Sequence, residues 1–253
     1  MKTKYPIILA HGILYDSFGK IDKILREVGY TVYLADTDCV GKIETNAMQL
    51  KEQIEDVIKK ENCEKVNIIA HSKGGLDTRF MMEHYGMDKK VASVTFLCTP
   101  HKGSEVATKL YSMPKFFRKP IAFTLNTFYK IRGDKKPNVL AACCQLTSSR
   151  LDKLKTPEYY EHVFMQSYST AMEKPSDNFL MGIPLLVSRR YGEGKSDGLV
   201  TEESSKFAEY KGRCIDESYS HTEMVDWGLK KKKKWKVYAF YINLCDDLAK
   251  RGF

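Results

Sequence analysis

Ser72 is the residue of this sequence best suited to act as a nucleophile. It lies in the stretch Ala70-His71-Ser72-Lys73-Gly74, directly after an apolar run typical of a buried strand. A sharp strand-to-helix turn would hold the serine oxygen in an exposed, strained position. Ala70 and Gly74 are small enough to relieve the crowding of such a turn. The following helix would direct its N-terminal N–H groups at a developing oxyanion, so the stretch predicts acyl-transfer chemistry.

Alternating strand and helix patterns in the N-terminal part of the chain provide the elements that must position this turn. Apolar or β-branched runs predict strands at Tyr5–Ala10, Thr31–Ala35, Lys65–Ala70 and Val91–Cys98. Apolar residues at helical spacing predict helices at 18–28, 47–58 and Leu76–Tyr85. Strands without polar alternation indicate a mostly parallel sheet with helices on both faces. Ligands bind beyond the carboxyl ends of such strands, near residues 10–18, 70–75 and 98–104.

The pattern breaks between about Glu105 and Lys174, where aromatic and basic residues are frequent. We interpret this segment as a helical insertion over the strand ends. After it, the sequence predicts a strand at Ile183–Ser188, a loop at Tyr191–Gly198, helical structure at Lys206–Lys211, a last strand at Arg213–Ile215 and a closing helix at Lys234–Lys250. The prediction is therefore a single domain over residues 1–253, with a lid insertion at about 105–174.

Composition excludes several classes of protein. The 253 residues are 43% hydrophobic, which suits one large domain, and no apolar run reaches the roughly 18 residues of a membrane span. The seven cysteines form neither a zinc pattern nor a disulfide framework. The net charge of +9 is not accompanied by a nucleic-acid-binding motif, so no nucleic-acid partner is expected. Without a visible secretory signal the protein is expected to be cytoplasmic, or secreted if a signal was removed.

Four ordered stretches resemble the α/β-hydrolases and, among them, the bacterial triacylglycerol lipases of the true-lipase family. They are Ala10-His11-Gly12-Ile13-Leu14, Ala70-His71-Ser72-Lys73-Gly74-Gly75, Thr99-Pro100-His101-Lys102-Gly103-Ser104 and Ser196-Asp197-Gly198-Leu199-Val200. A closing histidine follows in Tyr219-Ser220-His221. The stretches span most of the chain, whereas the insertion matches only in position. The resemblance implies an α/β-hydrolase fold with a helical lid.

A catalytic triad follows from the same resemblance. It implies Ser72 as the nucleophile, Asp197 as the acid and His221 as the base, and the order serine, aspartate, histidine is that of the α/β-hydrolase fold. His221 would take the proton of Ser72, while Asp197 would hold the imidazole in the right tautomer. Alternatives that remain open are His101 as the base and Asp177 or Asp216 as the acid.

Backbone and apolar groups complete the expected site. Lys73, the residue after the nucleophile, is predicted to donate its backbone N–H to the oxyanion. The resemblance places the second donor at Ile13. Contacts with the substrate are expected from Leu14 and from two aromatic residues of the insertion, Phe116 and Phe117. Such an insertion would form a lid and an acyl-chain groove that meets a lipid surface.

No metal or other cofactor is predicted. Members of the true-lipase family commonly hold a structural calcium ion through an aspartate two residues after the catalytic histidine. Glu223 occupies that position here, and Lys174 is as good a match as Asp177 for the second ligand. A calcium site is therefore not expected.

The resulting functional hypothesis is a serine carboxylester hydrolase, a lipase or an esterase, that works through an acyl-enzyme. Its partners would be a lipid or other ester substrate and, transiently, a membrane or micelle surface; a monomer is expected. Two other classes remain open. One is an acyltransferase or thioesterase with the same triad, and the other is a non-catalytic lipid-binding protein of the hydrolase fold.

Overall fold

Six parallel strands form the centre of the computed structural model, which describes residues 2–13, 15–147, 151, 154, 156–192, 194–228 and 231–253. The strands are β1 (Ile7–Ala10), β2 (Val32–Leu34), β3 (Val66–His71), β4 (Val91–Leu97), β5 (Phe164–Ala171) and β6 (Glu209–Ser218). They pair in the order β2-β1-β3-β4-β5-β6. The predicted α/β fold with a mostly parallel sheet is therefore confirmed.

Helices cover both faces of this sheet. They are α1 (Ile21–Val28), α2 (Ile43–Glu61), α3 (Lys73–Tyr85), α4 (Glu105–Ser112), α5 (Lys115–Arg132), α6 (Val139–Gln145), α7 (Phe179–Tyr191), α8 (Glu202–Ser205) and α9 (Lys231–Lys250). Neighbouring strand residues point to opposite faces, so Ile68 packs with α2 and α3 while Ile69 packs with α1 and α9. This two-sided burial explains why β1, β3 and β4 are mostly apolar.

The second half of the chain departs from the sequence prediction at three places. Strand β5 lies inside the predicted insertion, which therefore ends well before Lys174. The predicted strand Ile183–Ser188 is part of helix α7. The predicted helical segment Lys206–Lys211 instead runs into β6, which contains and extends the predicted strand Arg213–Ile215.

Local chemistry accounts for these errors. Strand β5 is polar, and its buried groups are satisfied inside the sheet: Gln166 donates to the Thr95 hydroxyl at 3.0 Å and Ser167 to the Phe207 carbonyl at 2.6 Å. Helix α7 is capped by the side-chain oxygen of Asn178, which accepts from two backbone N–H groups. A short apolar run such as 183–188 cannot be assigned to strand or helix by periodicity alone.

Helices α4, α5 and α6 occupy the N-terminal part of the predicted insertion. Ala122 and Tyr129 of α5 and Val139 of α6 pack on Cys39, Val40 and Ile13, in the loops that follow β2 and β1. The insertion therefore lies over the carboxyl edge of the sheet, where Ser72 is located. In the described part of the chain, no helix combines the length and the apolarity needed to cross a membrane.

Candidate active site

Ser72 sits on a strained turn between β3 and α3. Its backbone has φ 55° and ψ −129°, a conformation that side-chain-bearing residues rarely adopt. Its N–H donates to the Leu97 carbonyl at 2.9 Å, which ties the turn to the end of β4. Such a backbone conformation costs about 1–3 kcal/mol and persists where the surroundings fix it. The structure thus has the strained turn that the sequence predicts, but Ser72 is buried beneath the insertion rather than exposed.

Two glycines let the helix after Ser72 approach the sheet. A Cβ at Gly74 would lie 2.4 Å from the His11 carbonyl oxygen, and one at Gly75 would lie 2.2 Å from Oγ1 of Thr99. Both distances are shorter than real Cβ contacts. The double glycine therefore serves close packing of α3 against the loops that follow β1 and β4.

His221 and Asp197 form a buried hydrogen-bonded pair. Nδ1 of His221 donates to Oδ2 of Asp197 at 2.7 Å, and the His221 N–H donates to the Asp197 carbonyl at 2.9 Å. The other carboxylate oxygen, Oδ1, accepts from the N–H groups of Leu199 and Val200 at 2.9 and 2.8 Å. These bonds fix the ring with its Nδ1 protonated, which leaves Nε2 as the base. Ser72 and His221 line the same pocket.

His71 supports the imidazole of His221, a role that the sequence did not predict. Its Nε2 donates to the His221 carbonyl at 3.0 Å, and the two ring centroids are 4.5 Å apart. Burial, reinforced by the neighbouring His221, lowers the pKa of His71 well below its ordinary value. His71 is therefore a neutral donor that helps to hold the loop carrying His221.

The rival residues lie elsewhere. Nδ1 of His101 accepts from Arg79 at 3.2 Å, and the His101 ring stacks on Phe207 at 4.4 Å, so it does not line the pocket of Ser72. Asp177 accepts from the Ser218 hydroxyl and from the Lys174 N–H. Asp216 lines a separate groove between β6 and α9. The geometry therefore favours His221 and Asp197.

Two backbone N–H groups are available as an oxyanion hole. Within the described residues, neither the Ile13 N–H nor the Lys73 N–H has a hydrogen-bond partner, and Lys73 begins helix α3. Ile13 also lines the pocket beside Ser72. His11 stiffens this loop, because its Nδ1–H donates to the Gly12 carbonyl at 3.0 Å and its Nε2 accepts from Thr37 at 3.1 Å. Ile13 and Lys73 stay the predicted donors of the oxyanion hole.

Gly12 keeps the oxyanion loop close to the serine. A Cβ at this position would lie 2.5 Å from Cβ and 3.0 Å from Oγ of Ser72. We expect Gly12→Ala to displace the Ile13 donor and to lower kcat by about 100-fold, the effect of losing one oxyanion donor. Steady-state kinetics on a soluble ester measure this. The control is Gly212→Ala in β6, where the space is open but a positive φ of 91° makes alanine strained. A strained glycine replacement outside the pocket is expected to reduce stability and to leave kcat nearly unchanged; an equal loss of kcat there would contradict the local explanation.

An apolar pocket of about 150 Å³ opens beside Ser72 and His221. Apart from these two residues and Ser104, its lining is apolar: Ile13, Pro100, Val106, Ala107, Leu110, Leu125, Val139, Cys143, Leu146, Leu199 and Val200. Helices α4, α5 and α6 supply most of this wall. The sequence prediction missed the wall residues that these helices supply, although 106, 107 and 110 share one face of a helix and could have been found by their spacing.

The predicted substrate contacts that the structure describes do not line this pocket. Phe116 and Phe117 do not line it, because both are exposed on α5, at 81% and 57% of their surface. The acyl-binding wall is instead formed by aliphatic side chains. Leu14 lies outside the described residues.

Comparisons with known proteins show the family and the fold of the chain. A family profile described as palmitoyl protein thioesterase matches residues 6–172, about two thirds of the chain. The chain belongs to the palmitoyl protein thioesterase family. Among its relatives, triacylglycerol lipase 2 of Saccharomyces cerevisiae is 27% identical over 92% of this chain and 73% of its own length. A triacylglycerol lipase of Vibrio cholerae is 35% identical, but over only 42% of this chain and 36% of its own length.

Solved structures show the same fold for this family member. The mature lipase BlEst2 of Bacillus licheniformis superposes with a TM-score of 0.69 at 20% identity, over 96% of this chain and 92% of that one. A metagenomic carboxyl esterase gives a TM-score of 0.72 at 14% identity, over 98% of this chain and 77% of that one. Family and fold together identify a hydrolase of the lipase and esterase type.

The residues at the calcium position of bacterial lipases do not fit that ion. Glu223 is buried, accepts from the Ser220 N–H at 2.8 Å and lies 3.6 Å from the Lys233 ammonium. The Asp177 carboxylate already accepts hydrogen bonds from the Ser218 hydroxyl and from the Lys174 N–H. In the described residues, the one group with three potential metal-ligand atoms close together is His71, Cys98 and His221, and both histidines already have partners. We therefore derive no step through a metal.

Three buried neutral histidines make the fold sensitive to acid. Burial is the main cause that lowers the pKa of His11, His71 and His101. Below about pH 6.5 the unfolded chain binds protons that the folded chain does not, so stability is lost as the pH falls. Each histidine contributes at most about 1.4 kcal/mol per pH unit until its folded pKa is reached. Burial raises the pKa of Asp77 to about 6, so Asp77 binds a proton in the folded state below that pH and offsets part of this loss.

Urea unfolding between pH 8 and pH 5 measures this loss. We expect His101→Gln to reduce the slope of unfolding free energy against pH by up to about 1.4 kcal/mol per pH unit, because the unfolded chain then binds one proton fewer on acidification. The same substitution at His84, which is exposed on α3, is the control and is expected to leave the slope as it is. A wild-type stability that stays flat below pH 6 would contradict the prediction.

Proposed function

We propose that the protein is a serine carboxylester hydrolase that works through an acyl-enzyme intermediate. The observation that carries this proposal is the buried His221–Asp197 pair, 2.7 Å between Nδ1 and Oδ2, in the same pocket as the strained Ser72. A serine held at positive φ, a base with a fixed tautomer and two free N–H donors form a complete set for acyl transfer.

In this mechanism Oγ of Ser72 attacks the ester carbonyl while Nε2 of His221 takes its proton. The tetrahedral oxyanion is held by the N–H groups of Ile13 and Lys73, and Asp197 stabilises the imidazolium. His221 then gives the proton to the leaving alcohol, and the acyl group remains on Ser72. Water attacks this ester with His221 as the base, which releases the acid and restores the serine.

The pocket indicates which acyl groups are accepted. Its wall is aliphatic, and its volume of about 150 Å³ is below the roughly 300 Å³ at which typical ligand pockets begin. Short or medium acyl chains therefore fit this arrangement of α4, α5 and α6 best. A thioesterase with the same catalytic residues is the second candidate, and the family profile favours it. The same residues suffice for it, because a thiol leaving group needs no further catalytic group from the protein.

A series of p-nitrophenyl esters from acetate to palmitate, compared with thioesters of the same acyl groups, tests the proposal. We expect kcat/KM to peak between butyrate and octanoate and esters to turn over at least as fast as thioesters. A strong preference for thioesters would favour the second candidate, and products formed with added alcohols would indicate an acyltransferase. Failure to turn over any activated ester or thioester would leave only a non-catalytic lipid-binding role.

Contact with an anionic lipid surface is part of the same proposal. Helix α5 exposes Phe116 and Phe123, and α7 exposes Phe179 and Ile183, the last two at 95% and 77% of their surface. The charged residues of both helices are all lysines and arginines. Helix α5 supplies Leu125 to the pocket wall, and α7 packs against α4, which supplies another part of that wall. A bilayer against the exposed residues of either helix would therefore lie close to the acyl-binding site. Insertion of these apolar side chains into the bilayer and attraction of the lysines and arginines to anionic lipids would both favour binding.

Sedimentation with vesicles tests this surface. We expect binding to phosphatidylcholine vesicles containing 30% phosphatidylglycerol, weaker binding in high salt, and at least a fivefold loss of binding for Phe179→Glu/Ile183→Glu. The matched control is Val28→Glu, an exposed apolar residue of α1. Equal losses in both variants would contradict the surface. A monomeric state and a cytoplasmic location remain predictions from the sequence.

A further inference from the structure

The side chain of Lys73 is buried directly behind the proposed oxyanion hole. Only 1% of it is exposed, and its Nζ donates to both carboxylate oxygens of Asp77, at 2.7 and 2.9 Å. Burying two charges is costly and is weak evidence for stability, because apolar residues of similar size are often as good. The pair therefore calls for a role other than stability. The sequence indicated a role only for the backbone N–H of Lys73.

Asp77 is anchored in turn to the loop after β2. Nδ2 of Asn46 donates to Oδ2 of Asp77 at 3.2 Å and to the Asp38 carbonyl at 2.7 Å. The first turn of α3 is thereby tied, through Asp77 and Asn46, to the backbone at residue 38. Because the Lys73 ammonium also donates to Asp77, this set of hydrogen bonds extends to Lys73, whose backbone N–H is a predicted oxyanion donor.

The same loop also holds the other half of the oxyanion hole. The Thr37 hydroxyl donates to His11, whose Nδ1–H donates to the Gly12 carbonyl, next to Ile13. Residues 37 and 38 are adjacent, so one short segment connects to the Ile13 loop on one side and to the Lys73 turn on the other. The distance between two oxyanion donors on different loops can be fixed in this way.

Two carboxylates fasten this segment to the insertion. Asp38 accepts from the N–H groups of Lys135 and Lys136, both at 2.7 Å. Asp134 reciprocates by accepting from the N–H groups of Cys39 and Val40, at 2.9 and 3.0 Å. The loop after β2 is therefore held from both sides, which makes it a rigid support for the hydrogen bonds of Asn46 and Thr37.

We propose that the buried Lys73–Asp77 ion pair is a positioning device that sets the Lys73 N–H relative to the Ile13 N–H, and so tunes stabilisation of the transition-state oxyanion. This inference rests on the proposed function. An oxyanion donor acts only if it lies 2.7–3.1 Å from the developing charge, so a small rotation of the first turn of α3 weakens it. Because the ground-state ester is held by the apolar pocket, loss of the pair lowers kcat and leaves KM nearly unchanged.

The decisive variant is Lys73→Met/Asp77→Leu, which removes both charges and keeps the volume. Its matched control is Lys51→Met/Glu55→Leu, a lysine–carboxylate pair at the same spacing on α2 but more exposed to solvent. Active sites are counted by stoichiometric reaction with a fluorophosphonate, and kcat and KM are measured on p-nitrophenyl butyrate. Inhibition by a trifluoromethyl ketone, which forms an oxyanion adduct, reports the oxyanion hole directly.

We expect the double variant to lose about 10- to 100-fold in kcat per active site, with KM within twofold of wild type and the ketone inhibition constant raised by a similar factor. Lys73→Arg, which keeps the ion pair, should retain at least a third of kcat. A kcat per site within twofold of wild type would overturn the inference, because a merely structural pair changes only the number of active sites.

Two further results keep the inference separable from folding and from the proposed function. If the double variant yields no titratable sites, Asp77→Asn decides: a fivefold or larger loss of kcat with unchanged KM supports the inference, and an unchanged kcat overturns it. If the fluorophosphonate fails to label Ser72 in the wild type, the proposed function fails and the inference with it. If the fluorophosphonate labels Ser72 but kcat is unaltered in the variants, the inference is overturned and the proposed function stands.

Discussion

Ser72→Ala is expected to lower kcat for ester hydrolysis by a factor of about 10⁴ or more, because no acyl-enzyme can form without the hydroxyl. The substitution removes one oxygen from a residue whose backbone is fixed by β3, α3 and the Leu97 carbonyl. KM should therefore change little, and thermal unfolding should remain cooperative. Initial rates on p-nitrophenyl butyrate, with protein concentration taken from absorbance, measure the loss.

Ser104→Ala is the matched control for this experiment. Ser104 is a buried serine of the same pocket, but its hydroxyl donates to the Leu199 carbonyl at 2.7 Å and caps α4. Loss of the cap is expected to reduce stability by about 1 kcal/mol, while kcat stays within a few-fold of wild type. If Ser104→Ala were as inactive as Ser72→Ala, the assignment of the nucleophile would be wrong.

Asp197→Asn is expected to lower kcat by about 10⁴ with little change in KM. Oδ1 of Asp197 accepts from the N–H groups of Leu199 and Val200, so an amide would place its oxygen there and direct its NH₂ group at His221. Nδ1 of His221 would then have to accept, which moves the ring proton to Nε2. A protonated Nε2 cannot take the proton of Ser72.

The pH profile and two rival acids sharpen this test. Hydroxide supplies an alternative base, so the residual activity of Asp197→Asn should rise at high pH more steeply than that of the wild type. Asp177→Asn and Asp216→Asn change carboxylates outside the pocket of Ser72. Asp177 accepts from the Ser218 hydroxyl, and Asp216 lines the groove between β6 and α9. Both are expected to keep kcat within a few-fold of wild type, and a large loss in either would reopen the choice of the acid.

The sequence allowed the N-terminal part of the fold to be predicted because its strands are buried on both faces and therefore apolar. Strand β5 escaped the same reasoning, since Gln166 and Ser167 satisfy their polar groups with partners that are distant in sequence. Helix α7 was mistaken for a strand because its short apolar run is ambiguous without the Asn178 cap. Long-range hydrogen bonds decide the case of β5, and a local pattern does not contain them. The Asn178 cap of α7 is a local contact, but the apolar pattern of 183–188 alone does not reveal it.

For the site, the sequence predicted residues that stand at turns after strands, and the structure places Ser72, Asp197, His221, Ile13 and Lys73 around one edge of the sheet. The pocket wall could not be predicted, because the packing of α4, α5 and α6 determines which side chains face Ser72. The side chain of Lys73 was also missed. Its partner Asp77 is four residues away on α3, a spacing that suggested an exposed helical pair as readily as a buried one.

The measurement that tests the central claim most directly is the mass of the intact protein after reaction with diisopropyl fluorophosphate, followed by peptide mapping. If Ser72 is the activated nucleophile, one adduct forms per chain, it maps to Ser72, and it is absent from Ser72→Ala and strongly slowed in Asp197→Asn. An adduct on another residue, or equal labelling of the wild type and Ser72→Ala, would contradict the account.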